Sequence, residues 1–234
     1  MSKISGAIFD CDGTLLDSMG MWMNMFSTLI SGYGVEPTQE LLDTVEAMTL
    51  MQACEFLHSE FCMSDDPDSL LVKIYDFVTR AYENDIVEMP GAHAFVESLH
   101  QAGVPMIVAS STPRRLVIRA LECHGLLGYF DDVLCTEGVR DGRDKDFPDV
   151  YLEALERLGT PLAETWVFED APFAVRSARR AGFHVAGIHN DHDGRDANFI
   201  RSWSDLYSEN YGSISLSAIE AFDDATRRPS PEEV

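Results

Sequence analysis

Residues 4–14 read Ile-Ser-Gly-Ala-Ile-Phe-Asp-Cys-Asp-Gly-Thr. An apolar run from Ile4 to Phe9 ends in two aspartates, Asp10 and Asp12, and the glycine at position 13 follows them. A short apolar segment that stops at a glycine turn is typical of a buried strand in a parallel sheet. Ligands of open α/β sheets bind beyond the carboxyl ends of the strands, and carboxylates are costly to bury. The two aspartates therefore predict a functional site at the end of this strand.

The rest of the chain alternates apolar strands with amphipathic helices. Further strands are predicted at residues 104–109, 132–135, 165–168 and 184–188, and a short pair of elements at 198–206. Helices are predicted around residues 92–99, after Thr112-Pro113, and over 147–158 and 172–181. This alternation favours an α/β fold, a doubly wound parallel sheet with a Rossmann-like core.

More than 90 residues separate the first two strands, whereas a βαβ unit takes roughly 30. Helical stripes fill this interval, the clearest of them being Trp22, Met25, Phe26, Leu29, Ile30 and Tyr33. Residues 17–88 are therefore expected to form a small α-helical domain. Residues 1–16 and 89–226 would form the core, and the proline-rich tail at 227–234 would be disordered. The methionines at 19, 21, 23 and 25 would pack in the helical core or line a ligand pocket, and packing in the core is favoured.

The composition limits the partners. The formal charge is 17 − 40 = −23, which argues against nucleic acid or an anionic membrane as partner. No apolar run approaches the roughly 18 residues of a membrane span, and no signal peptide is visible, so a cytoplasmic location is expected. The five cysteines show no metal-ligand spacing, and Cys11 is expected to pack rather than react. The sequence indicates no oligomeric state.

Polar residues stand at four strand or loop ends that converge if the sheet is parallel: Asp10 and Asp12, Ser110-Ser111-Thr112, Lys145, and Glu169-Asp170. Carboxylates in one pocket repel one another, and an all-oxygen set of this kind suits Mg²⁺. Ser110 and the first amides of the helix opened by Pro113 are expected to form an anion-binding corner. Each group alone is ordinary: a turn, a helix cap or a surface lysine. Together they favour a phosphoryl site where a carboxylate attacks phosphorus.

These motifs resemble the haloacid dehalogenase-like hydrolase superfamily, in the branch of helical-cap phosphatases and β-phosphoglucomutase-like proteins. The resemblance covers residues 4–206 and rests on Asp-Cys-Asp-Gly-Thr, the strand ending in Ser110, Lys145, and Glu-Asp-Ala-Pro at 169–172. The sequence departs from the family pattern at three places. Asp146-Phe147 stands where proline and a small residue are usual. Ala171 stands where serine is usual, and Ala174 where glycine is common.

The resemblance also implies a role for each site residue. Asp10 would be the nucleophile and a Mg²⁺ ligand, and Asp12 the general acid/base that lends its backbone carbonyl to the metal. Ser110 and Lys145 would hold the phosphoryl oxygens, with Ser111 as a further candidate. Asp170 would ligate Mg²⁺, and Glu169 would do so directly or through water. The inserted helices would form a cap that closes over the site.

Asp12 excludes dehalogenase chemistry, because those relatives lack an acid at this position. Residues 17–88 carry two basic side chains, Lys73 and Arg80, against fourteen acidic ones, which would poorly serve a doubly phosphorylated ligand. The prediction is therefore a phosphatase of a small sugar or polyol phosphate, with a β-phosphoglucomutase-like phosphomutase as the alternative. A phospho-acceptor signalling domain is a distant alternative, against which the inserted helices argue. A second metal site at residues 189–193 is disfavoured, because adjacent residues rarely converge on one ion.

Overall fold

The computed structural model describes residues 4–46, 48–139, 143–190 and 196–222. The chain divides into two compact units, one formed by Met1–Asp17 with Val87–Val234 and the other by Ser18–Ile86. We refer to them as the sheet unit and the helical unit. The expected disordered tail at 227–234 lies outside the described residues.

The sheet unit contains one six-stranded sheet, and every pair of neighbouring strands in it is parallel. The strands are β1 (Gly6–Phe9), β2 (Met106–Ser110), β3 (Asp132–Cys135), β4 (Thr165–Glu169), β5 (His184–Ile188) and β6 (Leu206–Ser208). Their order is β3-β2-β1-β4-β5-β6. The predicted α/β class and parallel sheet are confirmed. Strand β1 lies between β2 and β4, so the first aspartates of the chain follow a central strand.

The helices are α1 (Met19–Gly32), α2 (Gln39–Glu46), α3 (Leu50–Phe61), α4 (Pro67–Asn84), α5 (Ala92–Gln101), α6 (Arg114–Cys123), α7 (Asp149–Leu158), α8 (Pro172–Arg180), α9 (Ala197–Trp203) and α10 (Leu216–Glu220). Helices α1–α4 make up the helical unit. Among the described residues, no helix combines the length and apolarity that crossing a membrane requires.

Local sequence signals explain where the helices of the helical unit begin. Thr49 and Gln52 form a reciprocal capping box at the start of α3. Asp66 caps α4 and accepts from the Ser69 amide, and Pro67 occupies the first turn, where its missing N–H costs nothing. The apolar stripe of α1 contributes buried residues, but of its odd-numbered methionines only Met25 is buried. The core role predicted for all four methionines is therefore right for one of them.

Prolines set two boundaries that the apolar pattern alone misplaces. Strand β2 begins at Met106 rather than at 104, because Pro105 has no N–H and contributes only its carbonyl, which accepts from Ala7 N at 3.1 Å. Helix α7 begins at Asp149 rather than at 147, because the residue before Pro148 is disfavoured in helical geometry. Helix α10 was not predicted, although Ser215 caps it by accepting from the Ala218 amide at 3.1 Å.

Aromatic packing fixes the ends of the two central strands. The Phe9 and Phe168 rings stack with centroids 4.3 Å apart, and the Phe95 ring of α5 meets the Phe168 ring edge-on at 5.2 Å. Phe9 and Phe168 are also register partners of β1 and β4. The Asp10 amide donates to the Phe168 carbonyl at 3.0 Å, so the pairing continues one residue beyond β1. The side chains that follow both strands are therefore held at one edge of the sheet.

Candidate active site

Three carboxylates of the predicted set converge at the carboxyl ends of β1 and β4. Asp10, Glu169 and Asp170 are all buried, and one oxygen from each lies within 4.8 Å of the others. Among the described residues, these are the only histidine, cysteine, aspartate or glutamate side chains that come together in this way. The sheet register brings them together, because Asp10 follows Phe9 and Glu169 follows its partner Phe168.

Lys145 lies within this cluster rather than on the surface. Its side chain is 3% exposed, and its Nζ donates to Asp10 Oδ1 at 2.5 Å and to Glu169 Oε1 at 2.6 Å. Burial alone would lower the pKa of Lys145, but the two carboxylates outweigh it and raise that pKa. Lys145 is therefore a buried, positively charged group held between two carboxylates. It is not an ordinary surface lysine, which is the explanation that the residue taken alone suggests.

One lysine does not neutralise three carboxylates. Burial raises the pKa of Asp10 to about 7, Lys145 opposes this shift, and the charges of Glu169 and Asp12 add to it. The neighbouring Cys11 is fully buried, and burial raises the pKa of its thiol well above the usual value. Cys11 is thus a packed thiol, as expected. The site as a whole has an excess of negative charge that a cation would relieve.

Glu169 accepts hydrogen bonds at both oxygens. Oε1 accepts from Lys145 Nζ and from the Tyr151 hydroxyl, the latter at 2.8 Å. Oε2 accepts from the backbone amides of Asp170 at 3.1 Å and Ala171 at 3.2 Å. Tyr151 is missed by sequence reasoning, which predicts a helix over 147–158 but assigns none of its residues to the site. The only available signal is that it carries a hydroxyl on a stripe that is otherwise aliphatic.

Asp12 and Ser110 are joined through Thr112. The Thr112 hydroxyl donates to Asp12 Oδ2 at 2.7 Å, and the Thr112 amide donates to Ser110 Oγ at 3.0 Å. Ser110 is buried at the end of β2, as expected. The expected anion-binding corner at α6 is only partly open, because the Arg114 amide donates to Glu137 Oε1 at 3.2 Å. Thr112, which the sequence places with Ser110 and Ser111 at this strand end without a role of its own, holds the Asp12 carboxylate.

Asp170 depends on the glycine turn after Asp12. Gly13 has φ +83°, and a Cβ atom there would lie 2.0 Å from Asp170 Oδ2. The Thr14 hydroxyl donates to Asp170 Oδ1 at 3.3 Å, and Asn190 Nδ2 donates to the Gly13 carbonyl at 3.4 Å. Both the backbone conformation and the close approach of Asp170 therefore require glycine at position 13.

Ser111 is the predicted phosphate-binding residue whose side chain is bonded elsewhere. It is exposed, and its hydroxyl donates to Asp144 Oδ1 at 2.5 Å. The Lys145 amide donates to the same oxygen at 2.7 Å, so Ser111 braces the loop that carries the lysine. At the disfavoured second metal site, His189 Nδ1 lies 2.8 Å from the Tyr207 hydroxyl. Residues 191–193 lie outside the described part of the chain.

The assembled site has the parts of a phosphoryl-transfer centre. A buried carboxylate, Asp10, stands beside a second carboxylate, Asp12, and a buried ammonium, Lys145. The oxygen-only acidic cluster suits a hard divalent cation, and Lys145 and Ser110 suit anionic oxygens. Such a set can bind a phosphoryl group, attack it with a carboxylate and protonate a leaving alcohol.

Comparisons with known proteins point in the same direction. A profile of the family described as haloacid dehalogenase-like hydrolase matches residues 7–188. The chain is 26% identical over 194 residues to a phosphorylated carbohydrates phosphatase of Thermotoga maritima, covering 82% of this chain and 89% of the relative. It is 29% identical over 188 residues to hexitol phosphatase A of Escherichia coli, covering 80% and 83%. CbbY from Rhodobacter sphaeroides, solved in complex with phosphate, shares the fold at a TM-score of 0.75 and 19% identity, covering 93% and 99%.

Proposed function

This chain belongs to the haloacid dehalogenase-like hydrolase family, and on that premise we propose that it is a Mg²⁺-dependent phosphatase of a small phosphorylated metabolite. The observation that carries the proposal is the position of Lys145, whose Nζ lies 2.5 Å from Asp10 and 2.6 Å from Glu169. A buried ammonium beside a buried carboxylate supplies a nucleophile and a phosphoryl-binding cation at one point.

The chemistry of the acidic cluster fits a divalent metal. Asp10, Glu169 and Asp170 offer only oxygen atoms, and their negative charge exceeds that of Lys145. Hard oxygen ligands are those that Mg²⁺ prefers. Asp10, Asp170 and the Asp12 carbonyl would hold the ion, with Glu169 binding it directly or through water. When bound, Mg²⁺ supplies positive charge that stabilises the phosphoryl oxygens during transfer.

The proposed reaction has two chemical steps, and each side chain of the site has a defined role in them. Lys145 and Ser110 hold the phosphoryl oxygens while a carboxylate oxygen of Asp10 attacks phosphorus. The bond from phosphorus to the leaving oxygen breaks, and Asp12 protonates that oxygen, so an alcohol departs and an aspartyl-phosphate remains. Asp12 then takes a proton from water, which attacks phosphorus and releases orthophosphate and free Asp10. Thr112 holds Asp12 in place for both transfers.

The helical unit favours a phosphatase over a phosphomutase. Between Ser18 and Ile86 the sequence has two basic residues, Lys73 and Arg80, and twelve acidic ones. Lys73 is already bonded to the Asp65 carboxylate and, at 2.8 Å, to the Tyr33 hydroxyl. A second phosphate on the substrate would find little positive charge there. The names of the two phosphatase relatives support a sugar or polyol monophosphate as the substrate class.

A phosphate-release screen tests the proposal. The purified chain is supplied with Mg²⁺ and a panel of sugar phosphates, polyol phosphates, nucleotides and phosphoglycolate. We expect orthophosphate release from sugar or polyol monophosphates, and loss of activity when a chelator removes the metal. Conversion of β-glucose 1-phosphate to glucose 6-phosphate without phosphate release would identify a phosphomutase. A long-lived aspartyl-phosphate without turnover would identify a phospho-acceptor domain, and either result would overturn the proposal.

A further inference from the structure

A buried chain of hydrogen bonds runs from α7 to the proposed nucleophile. The Tyr151 hydroxyl donates to Glu169 Oε1 at 2.8 Å, Lys145 Nζ donates to the same oxygen at 2.6 Å, and Nζ also donates to Asp10 Oδ1 at 2.5 Å. Tyr151 and Glu169 are completely buried, and Lys145 and Asp10 nearly so. Tyr151 is the only uncharged residue among these four hydrogen-bonded side chains, and the proposed mechanism gives it no role.

Tyr151 meets Lys145 in two ways. Its hydroxyl shares the Glu169 oxygen with the ammonium, and its ring centroid lies 5.8 Å from Lys145 Nζ, within the range of a cation–π contact. Burial, reinforced by the charge of Glu169, raises the pKa of Tyr151 well above its usual value. The hydroxyl is the donor of the hydrogen bond to Glu169 Oε1.

The other contacts of Glu169 show what the tyrosine adds. Oε2 is held by the backbone amides of Asp170 and Ala171, so that half of the carboxylate is fixed by the start of α8. Oε1 has two side-chain donors, Tyr151 and Lys145. Without the phenol, Oε1 would keep only the lysine. The ammonium would then be drawn toward Glu169 and away from Asp10.

We propose that Tyr151 is a positioning residue that aims the Lys145 ammonium at the phosphoryl group by sharing Glu169 Oε1 with it and supporting it with its ring. The inference rests on the proposed function, because it assumes that Lys145 binds a phosphoryl oxygen. Tyr151 acts through Lys145 and touches neither the substrate nor the metal in this role. It sets how much of the lysine charge is available to the substrate.

The test uses Tyr151→Phe, which keeps the ring and removes the hydroxyl. Orthophosphate, with Mg²⁺ at a saturating concentration, is the probe, and calorimetry measures its Kd. We expect the Kd to rise about tenfold, the effect of one hydrogen bond to a charged group. For a monoester that the enzyme hydrolyses, KM should rise by a similar factor while kcat stays within about threefold, because binding is lost in both ground and transition states.

Tyr33→Phe is the matched control. In the helical unit, the Tyr33 hydroxyl donates to Asp65, and that carboxylate also accepts from Lys73. A tyrosine hydroxyl and a lysine thus share one carboxylate oxygen here as well, although Lys73 also donates to the Tyr33 hydroxyl and the side chains of Lys73 and Asp65 are more exposed. Tyr33→Phe should leave the orthophosphate Kd unchanged. Unfolding curves of both variants separate a loss of stability from a loss of phosphate binding. If the role of Tyr151 were purely structural, Tyr151→Phe would lower the stability and leave the orthophosphate Kd unchanged.

A double-mutant cycle with Lys145→Ala tests whether Tyr151 acts through the lysine. In that background, Tyr151→Phe should no longer change the orthophosphate Kd. An unchanged Kd in Tyr151→Phe alone would overturn the inference, as would an equal loss with and without Lys145. The comparison of Tyr151→Phe with the native chain needs no Lys145 variant. The inference can therefore be tested even if Lys145→Ala does not fold.

The same measurements separate the inference from the proposed function. If no phosphate monoester is hydrolysed but Tyr151→Phe weakens orthophosphate binding, the proposed function fails and the inference stands. If monoesters are hydrolysed and Tyr151→Phe binds orthophosphate as tightly as the native chain, the inference alone fails. If the native chain neither hydrolyses a monoester nor binds orthophosphate, both fail.

Discussion

Asp10 supplies the attacking group of the proposed chemistry. Asp10→Asn keeps the shape of the side chain but replaces the attacking carboxylate by an amide, which is a poor nucleophile. We expect phosphate release to fall by at least about 10³-fold. Asp146→Asn is the control, because Asp146 is exposed one residue after Lys145 and pairs with Arg176 at 3.7 Å. A loss of less than about tenfold in Asp10→Asn would exclude Asp10 as the nucleophile.

Thr112 offers a second prediction for a single residue. Thr112→Val removes the hydroxyl that donates to Asp12 Oδ2 at 2.7 Å and keeps the β-branched shape. Because Asp12 would transfer the proton in both steps, we expect kcat to fall about tenfold with little change in KM. Single-turnover measurements should show both formation and breakdown of the phosphoenzyme slowed. Thr112→Ser should retain most of the activity, and equal losses in the two variants would contradict a role for the hydroxyl.

The site residues differ in how far the sequence alone could place them. Asp10, Ser110, Lys145, Glu169 and Asp170 were predictable, because each follows a strand or lies in a motif. The hydrogen bonds of Tyr151 and Thr112 were not, because they join segments far apart in the chain. A tyrosine on an apolar helical face and a threonine before a proline both have ordinary structural explanations. Ser111 is predicted to bind phosphate because it neighbours Ser110, and nothing in the sequence indicates that its hydroxyl would donate to Asp144.

Among the elements, α8 is tied to the far half of the sheet by a buried charge network. Asp205, which follows α9, accepts from Arg179 at 2.5 Å, from the Val185 amide at 3.0 Å and from His184 Nδ1 at 3.2 Å. The side chains of Asp205 and Arg179 are 1% and 7% exposed. The network joins the last turn of α8 to the start of β5, and so it helps to hold the helix that follows Asp170.

This network predicts a large loss of stability in Asp205→Asn. Removing one partner of a buried ion pair leaves the other charge uncompensated, so we expect the free energy of unfolding to fall by about 3 kcal/mol. Urea unfolding of the native chain and the variant measures the difference. Asp146→Asn removes an exposed pair and should cost less than about 1 kcal/mol. Similar losses in the two variants would show that the Asp205 network is not a strong anchor.

Elements were easier to predict than their ends. Alternating apolar strands and helices indicated the parallel sheet, because the strands of a sheet buried on both faces read as short continuous apolar runs. Two prolines shifted boundaries that the apolar pattern predicts. Pro105 has no N–H, so β2 begins two residues later than expected. The residue before Pro148 is disfavoured in a helix, so α7 also begins two residues later. Helix α10 is short and weakly patterned, so its serine cap was its one clear signal.

For the whole molecule, the formal charge of −23 sets the conditions under which a phosphate ester approaches. Long-range repulsion between like charges slows encounter and is screened by salt. We therefore expect kcat/KM for a phosphate monoester to rise when ionic strength increases from about 0.01 M to about 0.1 M at constant Mg²⁺. Most enzymes that attract their substrate electrostatically show the opposite trend. A fall in kcat/KM would mean that local positive charge at the site dominates the field of the molecule.

The central place of β1 has a consequence for synthesis on the ribosome. Strand β1 emerges first, yet its two neighbours in the sheet, β2 and β4, come from residues 106–110 and 165–169. A nascent chain thus exposes an apolar strand with two unpaired edges for much of its translation, a state open to misassociation. Asp10 meets Glu169 only after the chain has been synthesised as far as the end of β4. A ribosome-bound fragment that stops before β4 should therefore be inert toward phosphate esters, and chaperone contact with it should be greatest before β2 emerges.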